Sequence, residues 1–404
     1  MNIEVVTKRA HDIVVVGGGI GGVSAAVAAA RTGASVLLIE KSINLGGLAT
    51  RGLISWYEPL CDGEGRQMVG GIGEELIKLS VSVGLEDLPA HWGGRAERDD
   101  PRRRYATHFS PTLFSLALDR WVLSAGVEMV LDSHATYPVM EGNLCKGILV
   151  EDAGGRSFYP ARMVIDATGD ATVAYRAGIP CVTGENFLSY WVHGFTYESA
   201  KEYAKDGDLA RFRRWNCAGS AANGTGHPKG MRTFRGDSAE EITEFVRLGK
   251  EMMWERYADG DPSTREIMTI PEMPQFRTVR HIVGKTVFEG TEDGVECADS
   301  IGAIGDFRHA GTHYTIPYST LYHPDFPNLM TAGRIVSADG EGWEITRVIP
   351  GCALTGEAAG VAAALALSYG ENADAVPYDV LRATLVSRGV RFELFGTPNR
   401  MNRK

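Results

Sequence analysis

The sequence offers little to a metal or a dithiol. Its six cysteines (Cys61, Cys145, Cys181, Cys217, Cys297 and Cys352) are scattered, with no C-x-x-C pair. Zinc, iron–sulfur and redox-dithiol sites are therefore unsupported, and reduced thiols are expected. Net positive charge is missing as well. The chain carries 41 Lys+Arg against 51 Asp+Glu, a formal charge of −10, so it has no net pull on nucleic acid or anionic lipid. The basic run Arg102–Arg104 follows Asp99 and Asp100 and reads as a solvated loop. No apolar run reads as long enough to cross a bilayer, and Met1–His11 lacks a signal-peptide core. The expectation is a cytoplasmic protein with no membrane insertion. A hydrolase elbow, G-x-S-x-G, is absent. Gly284-Lys285-Thr286 imitates the end of a P-loop, but Val279 stands where the first glycine belongs.

Glycine is what the chain has in excess: 49 of 404 residues, against ~7% in ordinary chains. The excess gathers at one turn. Ile13–Val16 is a short β-rich apolar run that suits a buried parallel strand. Gly17-x-Gly19-x-x-Gly22 follows it, and an alanine-rich helix runs from Val23 to Arg31. Ser35–Ile39 is a second strand, ending at Glu40. In such a βαβ unit Gly17 permits the tight turn, Gly19 lets a pyrophosphate approach the backbone, and Gly22 lets helix and strand pack closely. The helix N-terminus offers unpaired N–H groups and about half a positive charge. Glu40, in register after the second strand, can accept ribose hydroxyls. The spacing predicts dinucleotide binding.

Further along, helices are predicted over Ile72–Ser82, from Ser110-Pro111 to Gly126, and from Ser238 to about Tyr257. Strands are predicted at Val127–Leu131, Thr136–Val139, Lys146–Glu151 and Met163–Ile165. Asp87–Arg104 reads as a loop, and Cys217–Gly230 as a mobile one. After Gly178 the texture becomes mixed, which suggests an inserted lobe. Asn328–Thr331 is a late strand, and Gly351–Ser368 a small-residue helix in which Glu357 reads as a first-turn acid. That helix would aim its positive end at the N1–C2=O edge of a reduced flavin.

Together these segments resemble FAD-dependent oxidoreductases related to succinate dehydrogenase and fumarate reductase flavoproteins, within a poorly characterised bacterial branch. The resemblance rests on Gly46-Gly47-Leu48-Ala49-Thr50, Gly71-Ile72-Gly73, Asp166-Ala167-Thr168-Gly169-Asp170, Arg277–Gly284, Ile316-Pro317-Tyr318 and the stretch from Gly333 to Gly360. It implies an α/β fold: a Rossmann-like, glutathione-reductase-like FAD-binding domain (1–184 and 315–404) with an inserted α+β substrate or cap lobe (185–314). It implies FAD held by Gly17, Gly19, Gly22, Glu40, Lys41, Gly46, Gly47, Thr50, Gly169, Asp170, Gly333, Arg334, Gly351 and Leu354. The sequence departs from the family at Thr278, where an acidic residue is expected.

No second strand–G-x-G-x-x-G–helix unit is present to carry a nicotinamide nucleotide. Electrons are expected to pass directly between flavin and a small-molecule substrate, oxygen, or an external acceptor or redox partner protein; an oligomer is compatible. The catalytic candidates are His309 and His313, Tyr314 beside them, and Arg280 and Arg347, whose guanidiniums can hold an oxyanion. A zinc site at the two histidines is disfavoured, since Ala310 replaces the glutamate of H-E-x-x-H. The expected reaction is dehydrogenation of a hydroxyl or amine carbon of a small polar substrate. Alternatives are reduction of an activated alkene, an electron-transfer flavoprotein subunit, and a thiazole-synthase-like dinucleotide-modifying enzyme.

Overall fold

A computed structural model describes residues 4–84, 88, 105–207, 212–220 and 224–395. The basic run 102–104 and nearly all of the predicted loop 87–104 lie outside the described residues.

The fold is built on an eight-stranded sheet. The central strand His11–Val16 pairs in parallel with Val36–Ile39 on one side and Gly155–Asp166 on the other. Glu128–Val130 extends the first side, and Leu329–Thr331 pairs in parallel with the end of Gly155–Asp166. Ile13, Val14 and Val15 are fully buried, as expected for a parallel strand covered on both faces. The Gly155–Asp166 strand has two partners along its length. Its first half closes an antiparallel meander with His134–Glu141 and Leu144–Asp152, and its second half joins the parallel layer. The sequence reading caught only the buried end of this strand.

Two helices pack against each other beneath the sheet. Ile20–Arg31 and Ile349–Ala366 are rich in Ala and Gly. A Cβ on Gly356 would collide with the Gly21 carbonyl oxygen, and one on Gly360 with that of Ala25. The small residues therefore set a close helix–helix approach rather than flexibility. By length and composition Ile349–Ala366 is apolar enough to cross a membrane, which corrects the sequence reading, but most of it is buried inside the protein.

A three-stranded antiparallel sheet sets Ser189–Thr196 between Arg214–Gly219 and Arg265–Thr269. Tyr190, Val192 and Ala218 pack with Met253 of the Ala239–Ala258 helix. Ser238 caps that helix by accepting from Glu241 N, as its spacing predicted. The reciprocal half of the capping box is absent, because the Glu241 carboxylate accepts from Arg232 and from Arg235 N instead. Cys217–Gly219, read as loop, ends a strand; residues 221–223 lie outside the described set.

Candidate functional site

The glycine turn is built as its spacing requires. Gly17 has φ +102, a left-handed conformation that favours glycine. A Cβ on Gly22 would strike the Gly17 carbonyl oxygen. Gly19 differs: its backbone is extended (φ −67, ψ 178), and an added Cβ would meet no protein atom within 4 Å. The protein does not need glycine there for its own packing; the open space belongs to whatever binds.

That space is a cleft of about 120 Å3 lined by Gly17, Gly19, Gly21, Glu40, Lys41, Gly46, Gly47, Arg51, Thr168, Gly169, Met273, Gly333, Arg334, Arg347, Ile349 and Cys352, among others. It joins both ends of the chain. At its Glu40 end it shares residues with a second cavity of about 510 Å3, lined also by His134, Asp170, Tyr175, Arg176, Asp237 and Arg280. Glu40 is buried; one carboxylate oxygen accepts from Gly18 N at 2.6 Å and the other from Ser42 N at 2.9 Å. Each oxygen keeps a further lone pair for a ligand hydroxyl.

Asp166 organises the next turn, accepting from Thr168 N, the Thr168 hydroxyl and Ala174 N. Burial pushes its carboxyl up to about 6. Arg334 is held by the carbonyls of Gly169 and Phe276, and burial pulls its guanidinium below its ordinary value. At the far end the Ile349–Ala366 helix begins, with Ile349 and Cys352 on the cleft wall. Arg347, just before it, pairs with Glu344. Burial works to raise the Glu344 carboxyl, but Arg347 together with Arg308 and Arg277 holds it below the usual carboxylate range. Two buried arginine nitrogens in this cleft have no hydrogen-bond partner, Nε of Arg51 and Nε of Arg347.

The cleft thus runs over a glycine turn, with an acid at one end and a helix N-terminus at the other. The family model described as FAD dependent oxidoreductase matches residues 12–189 and 229–385. The chain belongs to the FAD dependent oxidoreductase family. It is an oxidoreductase enzyme, and FAD is its cofactor. Among curated proteins, a digeranylgeranylglycerophospholipid reductase from Methanoculleus marisnigri is 29% identical over 187 residues, 43% of each chain. A second reductase of that name, from Methanosphaerula palustris, is 26% identical over 165 residues, 40% of this chain and 39% of its own. The chain thus spans less than half the length of these relatives. Among solved structures, a geranylgeranyl bacteriochlorophyll reductase-like protein from Thermoplasma acidophilum is 15% identical with a TM-score of 0.43, covering 96% of this chain and 85% of its own. Both curated relatives are reductases by name, and neither is a succinate dehydrogenase flavoprotein.

The cleft fits FAD. The open space at Gly19, the first-helix N-terminus and the Arg51 guanidinium, whose Nε lies 3.7 Å from a Glu272 carboxylate oxygen, suit a pyrophosphate, and Glu40 suits the ribose. Of the predicted FAD residues, Gly17, Gly19, Glu40, Lys41, Gly46, Gly47, Gly169, Gly333 and Arg334 line the cleft. Asp170 lines the larger cavity beside Glu40. Gly22, Thr50, Gly351 and Leu354 do not line the cleft. Thr50 instead donates to Leu45 O, and the Gly351 position lies tight against the Ile345 and Thr346 carbonyls.

The catalytic candidates divide. Arg347 lines the cleft. Arg280 lies at the Glu40 end, over the Tyr175 ring and donating to Asp237 O. His309, His313 and Tyr314 line neither cavity. His309 is exposed and pairs with Asp306 at 3.2 Å. His313 is fully buried; Nδ1 meets Gly311 O at 3.1 Å and Nε2 accepts from Phe395 N at 3.1 Å. Both ring nitrogens are thus engaged by the backbone. Tyr314 packs edge-on against Phe288. The Ser300–Gly305 and His313–Pro317 hairpin packs beside Cys61 and Val390.

Two further features were missed. Arg51 follows the Gly46–Thr50 motif directly, a signal that could have found it. Glu357 is not a first-turn acid: it sits mid-helix, buried, and accepts from Ile72 N at 2.8 Å. It thereby satisfies a backbone donor at the N-terminus of the Gly71–Val81 helix. Burial pushes this carboxyl up to about 7.

Proposed function

We propose that the chain catalyses FAD-dependent hydride transfer to a small polar substrate, namely reduction of an activated alkene that bears an anionic or carbonyl group. The observation that carries this reading is Arg347 on the cleft wall with its Nε buried and unpartnered. When bound, FAD supplies hydride exchange at N5. The Gly17–Gly22 turn and the first-helix N-terminus hold the pyrophosphate, and Glu40 accepts the ribose hydroxyls. Arg347 binds the substrate's activating group and stabilises the negative charge that develops there as the double bond is reduced. The N-terminus of the Ile349–Ala366 helix adds positive potential at the same end.

Dehydrogenation of an alcohol needs a base to take the hydroxyl proton, whereas the enolate left by hydride addition to an alkene is held by Arg347 and takes its proton from water. Among the described residues the cleft is lined by no histidine and no tyrosine, and its one carboxylate, Glu40, is engaged at the opposite end. The two curated relatives, both digeranylgeranylglycerophospholipid reductases by name, support the reductive direction. Electrons come from an external donor, since the sequence carries no second nucleotide turn of its own.

The test is anaerobic. Enzyme reduced by dithionite is mixed with a panel of enoates and enones, and reappearance of the oxidised flavin band is followed. Reoxidation by members of that panel is expected. Inertness toward all of them, together with bleaching of oxidised enzyme by alcohols or hydroxy acids, would reverse the direction.

A further inference from the structure

The segment Pro271–Arg277 links the three-stranded sheet to the cofactor cleft, and its central side chain is Gln275. Glu272 N donates to Arg51 O at 3.0 Å, and Arg51 Nη2 donates to Glu272 O at 3.1 Å. Met273 lines the cleft, and the Phe276 carbonyl accepts from Arg334 on the cleft wall. The charge of Arg347 is felt at Arg277. One short strap thus touches Arg51, Arg334 and the neighbourhood of Arg347, which together span the length of the cleft.

Gln275 is 5% exposed and its side-chain amide is used on both sides. Its Oε1 accepts from Trp191 N at 2.7 Å, and its Nε2 donates to Trp191 O at 3.1 Å. The amide therefore acts as one rung of β pairing on the Ser189–Thr196 strand. The same Nε2 donates to Gly52 O at 2.6 Å, in the loop that follows the Gly46–Thr50 turn. Glutamine is suited to this: it has two donors and an acceptor on one rigid plane. A glutamate would keep the acceptor and lose both donors; a methionine would keep the volume and lose all three bonds.

Beside Trp191, His193 closes the same junction. Its Nε2 accepts from the Trp215 indole and lies 3.3 Å from the Ser55 hydroxyl. Burial holds this imidazole down to about 4, so it stays neutral. Ser55 and Gly52 flank Leu53, a non-glycine residue at φ +59. The cofactor loop is therefore pinned to the sheet on both sides of a strained residue.

We propose that Gln275 is a positioning residue: through the strap it sets the three-stranded sheet against the cofactor loop and so fixes how the substrate end of the cleft faces the flavin. This rests on the proposed function for the identity of that end. FAD retention is expected to rest chiefly on the glycine turn and Glu40, which Gln275 does not touch.

The experiment compares holoenzyme with Gln275→Met, Gln275→Glu and, for a fold control, the melting temperature of each. The flavin readouts are acrylamide quenching of bound-flavin fluorescence and the visible circular dichroism of the flavin. The site probe is benzoate, with benzamide as its neutral counterpart, titrated against the flavin absorption band. Both variants are expected to purify with full FAD. They should show quenching increased about twofold or more, altered flavin dichroism, and benzoate affinity lowered about tenfold, the loss expected from disturbed hydrogen bonding. Glu should resemble Met despite its size. A lowered melting temperature with quenching and dichroism unchanged would reduce Gln275 to a structural residue and overturn the proposal. Wild-type blindness to benzoate, with the flavin signature still altered in the variants, would count against the proposed anionic substrate and not against the positioning role.

Discussion

One carboxylate oxygen of Glu40 accepts a hydrogen bond from Gly18 N at 2.6 Å, so the acid that ends the second strand is tied to the glycine turn that ends the first. The bond fixes both halves of the nucleotide site before any ligand arrives. Its geometry makes the glycines around it separable by experiment.

Gly19→Val should fold and fail to bind FAD. The backbone there is one any residue adopts, and a Cβ meets nothing in the protein. The melting temperature of the apoprotein is expected to change little, while the visible flavin band is lost. Gly22→Ala is the opposite case: its Cβ collides with the Gly17 carbonyl. Overpacking of that kind costs about 3 kcal/mol, visible as a lowered denaturant midpoint in the apoprotein. Equal behaviour of the two variants would refute the division of roles.

Arg51→Ala should weaken FAD binding by about tenfold, the worth of one charge-assisted hydrogen bond. Arg51 lines the cleft with Nε buried and without a hydrogen-bond partner, and its other nitrogens reach Glu272 O and, at 3.7 Å, Glu40. Fluorescence of released FAD on dilution measures the effect.

His313→Ala should leave flavin reduction and reoxidation unchanged and destabilise the fold by about 1–3 kcal/mol, by freeing buried partners at Gly311 and Phe395. Chemical denaturation and single-turnover kinetics on the same preparation decide it. A slowed single turnover in a fully folded variant would return the residue to catalysis.

Glu357 gives a pH signature. Its folded carboxyl is raised to about 7 from 4.5, chiefly by burial. Between these values the folded state binds more protons than the unfolded one, so its contribution makes stability fall as pH rises from about 4.5 to 7 and stay level above. Glu357→Gln keeps an acceptor for Ile72 N and removes the titration. The variant should gain stability relative to the wild type across that window, by up to roughly 3 kcal/mol at pH 8. A difference independent of pH would show that the carboxyl does not titrate there.

Much of the cofactor half was legible in the sequence because its signals are local. Strand, glycine turn, helix and acid follow one another within Ile13–Glu40, and each residue's role depends on its near neighbours. Ser110 and Ser238 capped their helices for the same reason. The substrate end was not legible. His309 and His313 looked chemical by type and spacing, yet their surroundings are set by Asp306 and by Phe395, over 80 residues on for His313. Gln275 has no local pattern at all; its meaning comes from Trp191 and Gly52, brought together only by the fold. Glu357 was misread because its partner, Ile72, lies 285 residues away.

The most direct measurement is the cofactor content of the purified chain. Protein should be yellow, release intact FAD on denaturation at about one per chain, and regain its flavin spectrum when apoprotein is mixed with FAD. A folded, colourless chain that cannot be reconstituted with FAD would contradict the account.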